Sequence, residues 1–106
     1  MRILFICNQN QNRSETAESL FRGRFETKSA GLYNKHPVTN KQLNWADVIV
    51  VMEDAQRSEL AKRFPKEYMQ KRIVSLQIPD VYKVEQPSLK KLLQEKMQVY
   101  FSQVWN

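Results

Sequence analysis

The chain alternates short apolar runs with longer segments in which apolar residues recur every three or four positions. Apolar runs at 2–6 and at 47–52 predict strands, and the four β-branched residues of the second run are typical of a strand buried on both faces of a sheet. Shorter runs at 25–29 and 72–76 predict two more strands. The pattern therefore predicts four strands.

Helical spacing fills the segments between these strands. It predicts helices over 14–22, 40–45 and 54–64, the last with Asp54 as its N-cap and Pro65 as its end. Pro87 opens a final helix. Its apolar stripe is expected to pack on the core and consists of Leu89, Leu92, Leu93, Met97, Tyr100, Phe101 and Val104.

Alternation of strands with helices predicts an α/β fold, a small four-stranded parallel sheet with helices on both faces. A chain of 106 residues is long enough for one hydrophobic core, so we expect a single domain over 1–106. Ligands of such folds bind beyond the carboxyl ends of the strands. The loop after the first strand is therefore the first place to look for a site.

The composition and charge of the chain limit the classes of function that we expect for it. The apolar and charged fractions, 42% and 26%, are typical of a soluble globular protein, and no apolar stretch is long enough to cross a membrane. With no signal-peptide pattern and one cysteine, we expect a cytoplasmic protein without disulfides. The net charge of +6 favours anionic partners, but the basic residues are dispersed and not interleaved with aromatics, which argues against nucleic acid.

The candidate chemistry lies directly after the first strand, where Cys7 is followed at Cys-x5-Arg-Ser spacing by Arg13 and Ser14. Five intervening residues can wrap their amides around a tetrahedral oxyanion, and an arginine closes the ring with two parallel donors. A helix that begins near Arg13 adds further amide donors and positive potential. The pattern predicts a phosphate cradle with a thiolate nucleophile at its base.

With this motif so near its start, the chain resembles the low-molecular-weight protein tyrosine phosphatases. Further matches are the helix start at 15–18, the strand end Ser29-Ala30-Gly31, the third strand at 46–52 and the late element Asp80-Val81-Tyr82. The resemblance implies a metal-free phosphomonoester hydrolase without cofactors. It would act on phosphotyrosine proteins or small aryl phosphates through a phosphocysteine, releasing inorganic phosphate.

The resemblance also implies roles for individual residues. Cys7 is the nucleophile, Arg13 binds the transferred phosphoryl group, and Asp80 is the acid and then the base. Ser14, Asn10 and Ser29 support the thiolate and the loop, with Asn10 bracing the loop through Ser29, while Tyr82 and Tyr33 wall the substrate pocket. The residues expected to bind phosphate are Asn8, Gln9, Asn10, Gln11, Asn12, Arg13 and Ser14.

The chain departs from the family pattern in three places. Gln9 stands where the loop usually has a glycine, Asn12 stands where many members carry a second cysteine, and Asp80 follows a proline instead of preceding one. Family members are also usually longer than this chain, and the residues missing here fall mainly in the loops expected to face the substrate. The sequence therefore leaves the physiological substrate open.

Three other functions remain alternatives. A phosphocysteine carrier domain has a similar fold and cysteine position, but such domains normally lack the arginine and the late aspartate. Arsenate reduction would use the same cradle, although relatives relay the oxidation through further cysteines that this chain does not have. A non-catalytic phosphate-binding module would leave the pairing of Cys7 with Asp80 unexplained.

Overall fold

A computed structural model describes residues 1–105 of the chain, with the side chains of residues 1–102. Four strands form one parallel sheet in the order β2-β1-β3-β4. They are β1 (Arg2–Cys7), β2 (Glu26–Gly31), β3 (Val48–Val51) and β4 (Arg72–Ser75). The predicted α/β class and the four-stranded parallel sheet are confirmed.

Five helices connect and follow the strands. They are α1 (Arg13–Phe21), α2 (Asn40–Trp45), α3 (Asp54–Arg63), α4 (Pro65–Gln70) and α5 (Pro87–Trp105), the last interrupted by non-helical backbone at Phe101. The prediction that Pro65 ends the helical segment was incomplete. Proline is tolerated in the first turn of a helix, and Pro65 opens α4. No helix in the described range is long and apolar enough to span a membrane.

Alternate residues of the two central strands enter two separate cores. Ile3, Phe5 and Cys7 of β1 face one core, and Leu4 and Ile6 face the other. The first core is closed by α1 and α5, and the second by α2 and α3, so helices cover both faces as predicted. From α5 the first core takes Leu89, Leu93, Met97 and Phe101.

The remaining members of the predicted α5 stripe do not all lie in the core. Leu92 packs at its edge, Tyr100 is exposed, and the side chain of Val104 lies outside the described residues. A stripe at helical spacing is wider than the strip that a sheet can cover, so its flanking members remain at the surface.

The register of the central strands fixes what meets at the carboxyl edge of the sheet. Ile6 of β1 lies opposite Val51 of β3, and Cys7 lies opposite Gly31 of β2. The segments that follow these strands therefore begin at the same level. The loop after β1 lies between the start of α3 and the turn after β2.

Candidate active site

Cys7 is the last residue of β1, and the loop that follows it curls back over the strand end before α1 begins at Arg13. The Cys7 side chain is buried, at 4% exposed, and its Sγ lies 2.9 Å from the Ser14 Oγ. Ser14 Oγ in turn donates to Asn10 Oδ1 at 2.8 Å. These three side chains form one chain of hydrogen-bonding groups across the loop.

The loop turns through a left-handed residue at Asn10, whose φ is 53°. Asparagine tolerates this conformation better than most residues other than glycine. Gln9, which stands where the family usually has a glycine, does not adopt positive φ. The amides of residues 9–12 donate to no partner in any hydrogen bond of the described chain, so they are available to an oxyanion.

A small cavity of about 40 Å³ opens at this loop. It is lined by Cys7, Gln9, Gln11, Asn12, Arg13 and Asp80. The sequence singled out all six residues, and the fold brings them together. Apart from Cys7, the residues that line the cavity are polar or charged.

Arg13 is the most deeply buried charged side chain of the site, at 1% exposed. Its Nη1 donates to the Glu53 carboxylate and, at 2.7 Å, to the Ile78 carbonyl oxygen. Its Nε and Nη2 carry no hydrogen bond among the described residues, although Asp80 Oδ1 lies 3.7 Å from Nε. One edge of the guanidinium is thus anchored in the protein, and the other can bind an oxyanion with two parallel hydrogen bonds.

Glu53 and Gln56 are site residues that the sequence analysis missed. Glu53, not Asp54 as predicted, is the N-cap of α3, and it forms a capping box with Gln56. Gln56 is 2% exposed, and its Oε1 accepts from the Met52 and Glu53 amides at 2.7 and 3.0 Å. The Glu-x-x-Gln spacing directly after a central strand was the signal that could have identified them.

Gln56 also ties α3 to the phosphate loop. Its Nε2 donates to Asn8 Oδ1 at 3.1 Å. On the other side of the loop, the Asn8 carbonyl accepts from the amides of Leu32 and Tyr33 at 2.9 and 2.8 Å. Asn8 therefore connects the loop to α3 through its side chain and to the turn after β2 through its backbone.

Gly31 lies where the turn after β2 packs against this loop. A Cβ at this position would lie 2.8 Å from Asn34 Cγ and 3.0 Å from the Asn8 carbonyl oxygen. These distances are shorter than van der Waals contact, so a side chain at Gly31 would push the turn away from the loop. The Ser29-Ala30-Gly31 element thus positions the loop through close backbone approach.

The remaining predicted site residues have other surroundings. Ser29 donates to Glu18 Oε1 at 2.6 Å, so the expected brace between Ser29 and Asn10 is replaced by the bond from Ser14 to Asn10. Tyr82 is half-buried against the first core, and Tyr33 is 52% exposed beneath the Arg63 guanidinium, 4.9 Å from its ring centre. Neither tyrosine lines the cavity. Their predicted place in its wall is therefore not observed.

A comparison with solved structures finds proteins with a similar fold. A low-molecular-weight protein tyrosine phosphatase from T. tengcongensis superimposes with a TM-score of 0.75, at 20% identity over 98% of this chain and 97% of that one. The chain has the fold of the low-molecular-weight protein tyrosine phosphatases. The resemblance predicted from the sequence is confirmed at this level.

Two further structures share the fold. The YwlE arginine phosphatase from Geobacillus stearothermophilus has a TM-score of 0.69, at 21% identity over 96% of each chain. Vibrio vulnificus Wzb in complex with benzylphosphonate has a TM-score of 0.77, at 19% identity over 96% of this chain and 97% of that one. Neither a scan against protein-family models nor a search of curated proteins finds a match.

The anchoring of Arg13 predicts a stability difference between two matched variants. Glu53→Gln keeps the side-chain shape but removes the counter-charge of a buried cation. We expect it to lower the free energy of unfolding by about 1–3 kcal/mol. This is less than for a fully buried pair, because Glu53 itself is partly exposed to water. The control is Glu59→Gln, which removes the partner of Arg63 within α3; because Arg63 is 28% exposed and keeps contact with water, this change should cost less than about 1 kcal/mol.

Urea unfolding of both variants beside the wild type measures the difference. Equal losses for the two variants would show that Glu53 does not have a special role in holding Arg13.

Proposed function

We propose that the protein is a metal-free, cysteine-dependent phosphomonoester hydrolase that works through a phosphocysteine intermediate. The observation that carries the proposal is that one small cavity is lined by Cys7, Arg13 and Asp80. Nucleophile, anion-binding group and acid–base group are thus close enough to act on one phosphoryl group. The phosphatases named above, which share the fold, support the same chemistry.

In the first step, the Cys7 thiolate attacks phosphorus as the bond to the leaving oxygen breaks. Negative charge spreads over the three equatorial oxygens, where the free edge of Arg13 and the amides of residues 9–12 can stabilise it. These donors are in place before substrate binds, because Arg13 is held by Glu53 and the Ile78 carbonyl. They need little reorganisation during the reaction.

The Ser14 hydroxyl can donate a hydrogen bond to the Cys7 thiolate. A hydroxyl donates one hydrogen bond, so donation to Asn10 Oδ1 leaves Cys7 to donate its thiol proton to Ser14. When Cys7 is ionised, Ser14 must donate to the sulfur, and Asn10 then turns its Nδ2 toward Ser14. This reversal stabilises the thiolate and improves it as a leaving group in the second step.

Asp80 supplies the proton for the leaving group. Its side chain is 57% exposed at the cavity, on the segment that follows β4, so it can reach an oxygen that points outward from the bound phosphoryl group. Protonated Asp80 gives its proton to the leaving oxygen. As a carboxylate it then takes a proton from water, which attacks phosphorus, breaks the S–P bond and restores the thiolate.

The alternatives differ in the fate of the phosphoryl group. A phosphocysteine carrier would retain it for transfer, and a phosphate-binding module would never form the S–P bond. Asp80 at the cavity favours hydrolysis over both because it can activate water. Arsenate would fit the same donors, and its reduction would need a thiol from outside the chain because Cys7 is the only cysteine.

Phosphoarginine is a second candidate substrate class, and the lining of the cavity favours it. No aromatic residue lines the cavity, whereas Asp80, Gln9, Gln11 and Asn12 do. Carboxylate and amide oxygens can accept hydrogen bonds from a guanidinium leaving group, while a phenol ring would find no stacking partner in this lining. One structure with this fold is an arginine phosphatase.

The nucleophile is tested first. With p-nitrophenyl phosphate and EDTA present, we expect wild-type turnover, and we expect Cys7→Ser to lower kcat by about a thousandfold or more. Steady-state release of p-nitrophenol measures both proteins, with circular dichroism confirming that the variant is folded. Loss of wild-type activity in EDTA, or activity that survives in Cys7→Ser, would contradict the proposal.

The acid role of Asp80 is tested by a leaving-group series. Asp80→Asn should lower kcat/KM by about 100-fold or more for alkyl phosphates, whose leaving groups need a proton, and by much less for p-nitrophenyl phosphate. Asp54→Asn, an exposed aspartate in the first turn of α3, is the matched control. Equal slowing across the series would remove Asp80 from this role.

The substrate class is tested by direct competition. We expect hydrolysis of two peptides that differ only in carrying phosphotyrosine or phosphoarginine, and the ratio of their kcat/KM values decides the class. We expect Asp80→Asn to slow hydrolysis of the phosphoarginine peptide as well, because the leaving nitrogen also needs a proton. A ratio strongly in favour of phosphotyrosine would reject the arginine alternative.

A further inference from the structure

The segment that carries the proposed acid–base group is tied to the first turn of α1 at both of its ends. We call this segment, residues 78–85, the strap. At one end, Arg13 Nη1 donates to the Ile78 carbonyl oxygen at 2.7 Å. At the other end, the Glu85 amide donates to Thr16 Oγ1 at 2.9 Å. The second contact has no part in the reaction steps given above.

Both contacts are made by one face of α1. Arg13 and Thr16 are three positions apart in the helix, so their side chains are neighbours on its surface. Thr16 is fully buried and does not line the cavity at Cys7. The helix that supplies the phosphate-binding arginine therefore also holds the far end of the strap. The distance from a bound phosphoryl group to Asp80 depends on both contacts.

The middle of the strap has few other contacts that could fix it. Val81 and Val84 are exposed, and only Tyr82 packs against the first core. The Asp80 carboxylate makes no hydrogen bond with the described residues, and its one ion pair is the 3.7 Å contact with Arg13 Nε. An exposed segment with so few contacts opens easily unless its ends are held. The reach of Asp80 therefore depends on the ends of the strap.

Glu85 is the point at which the strap turns back toward α5. Its φ is 61°, a left-handed conformation that a residue other than glycine keeps only when surrounding contacts hold it. The turn is closed by Gln86, whose amide donates to the Lys83 carbonyl at 3.2 Å and whose Oε1 accepts from the Lys83 amide at 2.9 Å. Loss of the Thr16 acceptor would leave the Glu85 amide of this turn without its partner.

We propose that Thr16 is a positioning residue for Asp80. Its hydroxyl oxygen fixes the end of the strap, and the strap places the carboxylate beside the leaving oxygen. Because Thr16 does not touch the phosphoryl group, it acts on proton transfer and not on phosphate binding. This proposal rests on the phosphatase function proposed above.

Two substitutions at one position test the role. Thr16→Val keeps the shape of the side chain but removes the acceptor, whereas Thr16→Ser keeps the acceptor. We expect Thr16→Val to lower kcat/KM about 5- to 20-fold for alkyl phosphates and less than about twofold for p-nitrophenyl phosphate, whose leaving group does not need the proton. Thr16→Ser should stay within about twofold of the wild type on both substrates. Inhibition by inorganic phosphate should be unchanged in both variants.

Thr27→Val is the matched control. The Thr27 hydroxyl donates to the Glu18 carbonyl of α1 at 2.9 Å, so this change also removes a threonine hydroxyl bonded to the helix, but it leaves the strap untouched. We expect Thr27→Val to keep the wild-type ratio of kcat/KM between the two substrates. Thr16→Val added to Asp80→Asn should cause no further loss on alkyl phosphates, because the group that it positions is already gone.

Hydrogen exchange tests the contact itself, in the wild type and without any turnover. The Glu85 amide should be protected, and Thr16→Val should remove the protection. A wild-type Glu85 amide that exchanges as fast as the Val84 amide would overturn the proposal even if the variant does not fold.

The kinetic outcomes separate this proposal from the proposed function. With an active wild type, equal slowing of both substrates by Thr16→Val, weaker phosphate inhibition, or a loss that adds to that of Asp80→Asn would reject the positioning role alone. A wild type without turnover would reject the phosphatase function, and the positioning role with it.

Discussion

Arg13 is a full positive charge with almost no exposed surface, and a buried guanidinium is tolerated only when other groups compensate for the water it has lost. The compensation comes from Glu53, at the end of the segment after β3, and from the Ile78 carbonyl, in the segment after β4. Both segments must therefore converge on the loop after β1. The position of Arg13 depends on the whole carboxyl edge of the sheet.

The parallel sheet makes this convergence possible. Because Ile6 lies opposite Val51, the residues that follow the two strands begin level with each other, and the start of α3 reaches the loop. Gln56 uses both ends of its amide, accepting from the Met52 and Glu53 backbone and donating to Asn8. The helix start that supplies the counter-charge for Arg13 thus also fixes the loop whose amides face the cavity.

The nitrogens of the Arg13 guanidinium have different partners, which explains how a structural cation can also be a ligand-binding group. Nη1 donates to Glu53 and the Ile78 carbonyl, while Nε and Nη2 have no hydrogen-bond partner among the described residues and Asp80 Oδ1 lies 3.7 Å from Nε. An incoming phosphoryl group brings its own negative charge to this edge. The same side chain can then hold the loop in the free protein and bind the substrate during turnover.

Sequence periodicity predicted those strands and helices that depend mainly on local sequence. The strands β1 and β3 follow from buried apolar runs, and α2 was predicted at 40–45, as observed. The Cys-x5-Arg motif predicted five of the cavity residues, and the family resemblance predicted the sixth, Asp80. Pro65 was ambiguous, because proline both ends one helix and favours the first turn of the next, and α4 was missed for that reason.

Partners that depend on three-dimensional packing were not predictable. Glu53 and Gln56 look like ordinary helix-capping residues until the register of β1 and β3 brings them to the loop. Ser29 could have faced either Asn10 or Glu18, and the packing of α1 on β2 decides for Glu18. Tyr82 lies near Asp80 in sequence, yet the first core holds its ring away from the cavity.

The central claim is that the phosphoryl group passes through the Cys7 sulfur, and the most direct measurement is the mass of the enzyme during turnover. Asp80→Asn should slow hydrolysis of the intermediate, so rapid acid quenching of this variant with p-nitrophenyl phosphate should give a peptide that contains Cys7 with one added phosphoryl group. The same peptide from Cys7→Ala should carry none. Turnover without phosphorylation of Cys7, or with the phosphoryl group on another residue, would contradict the account.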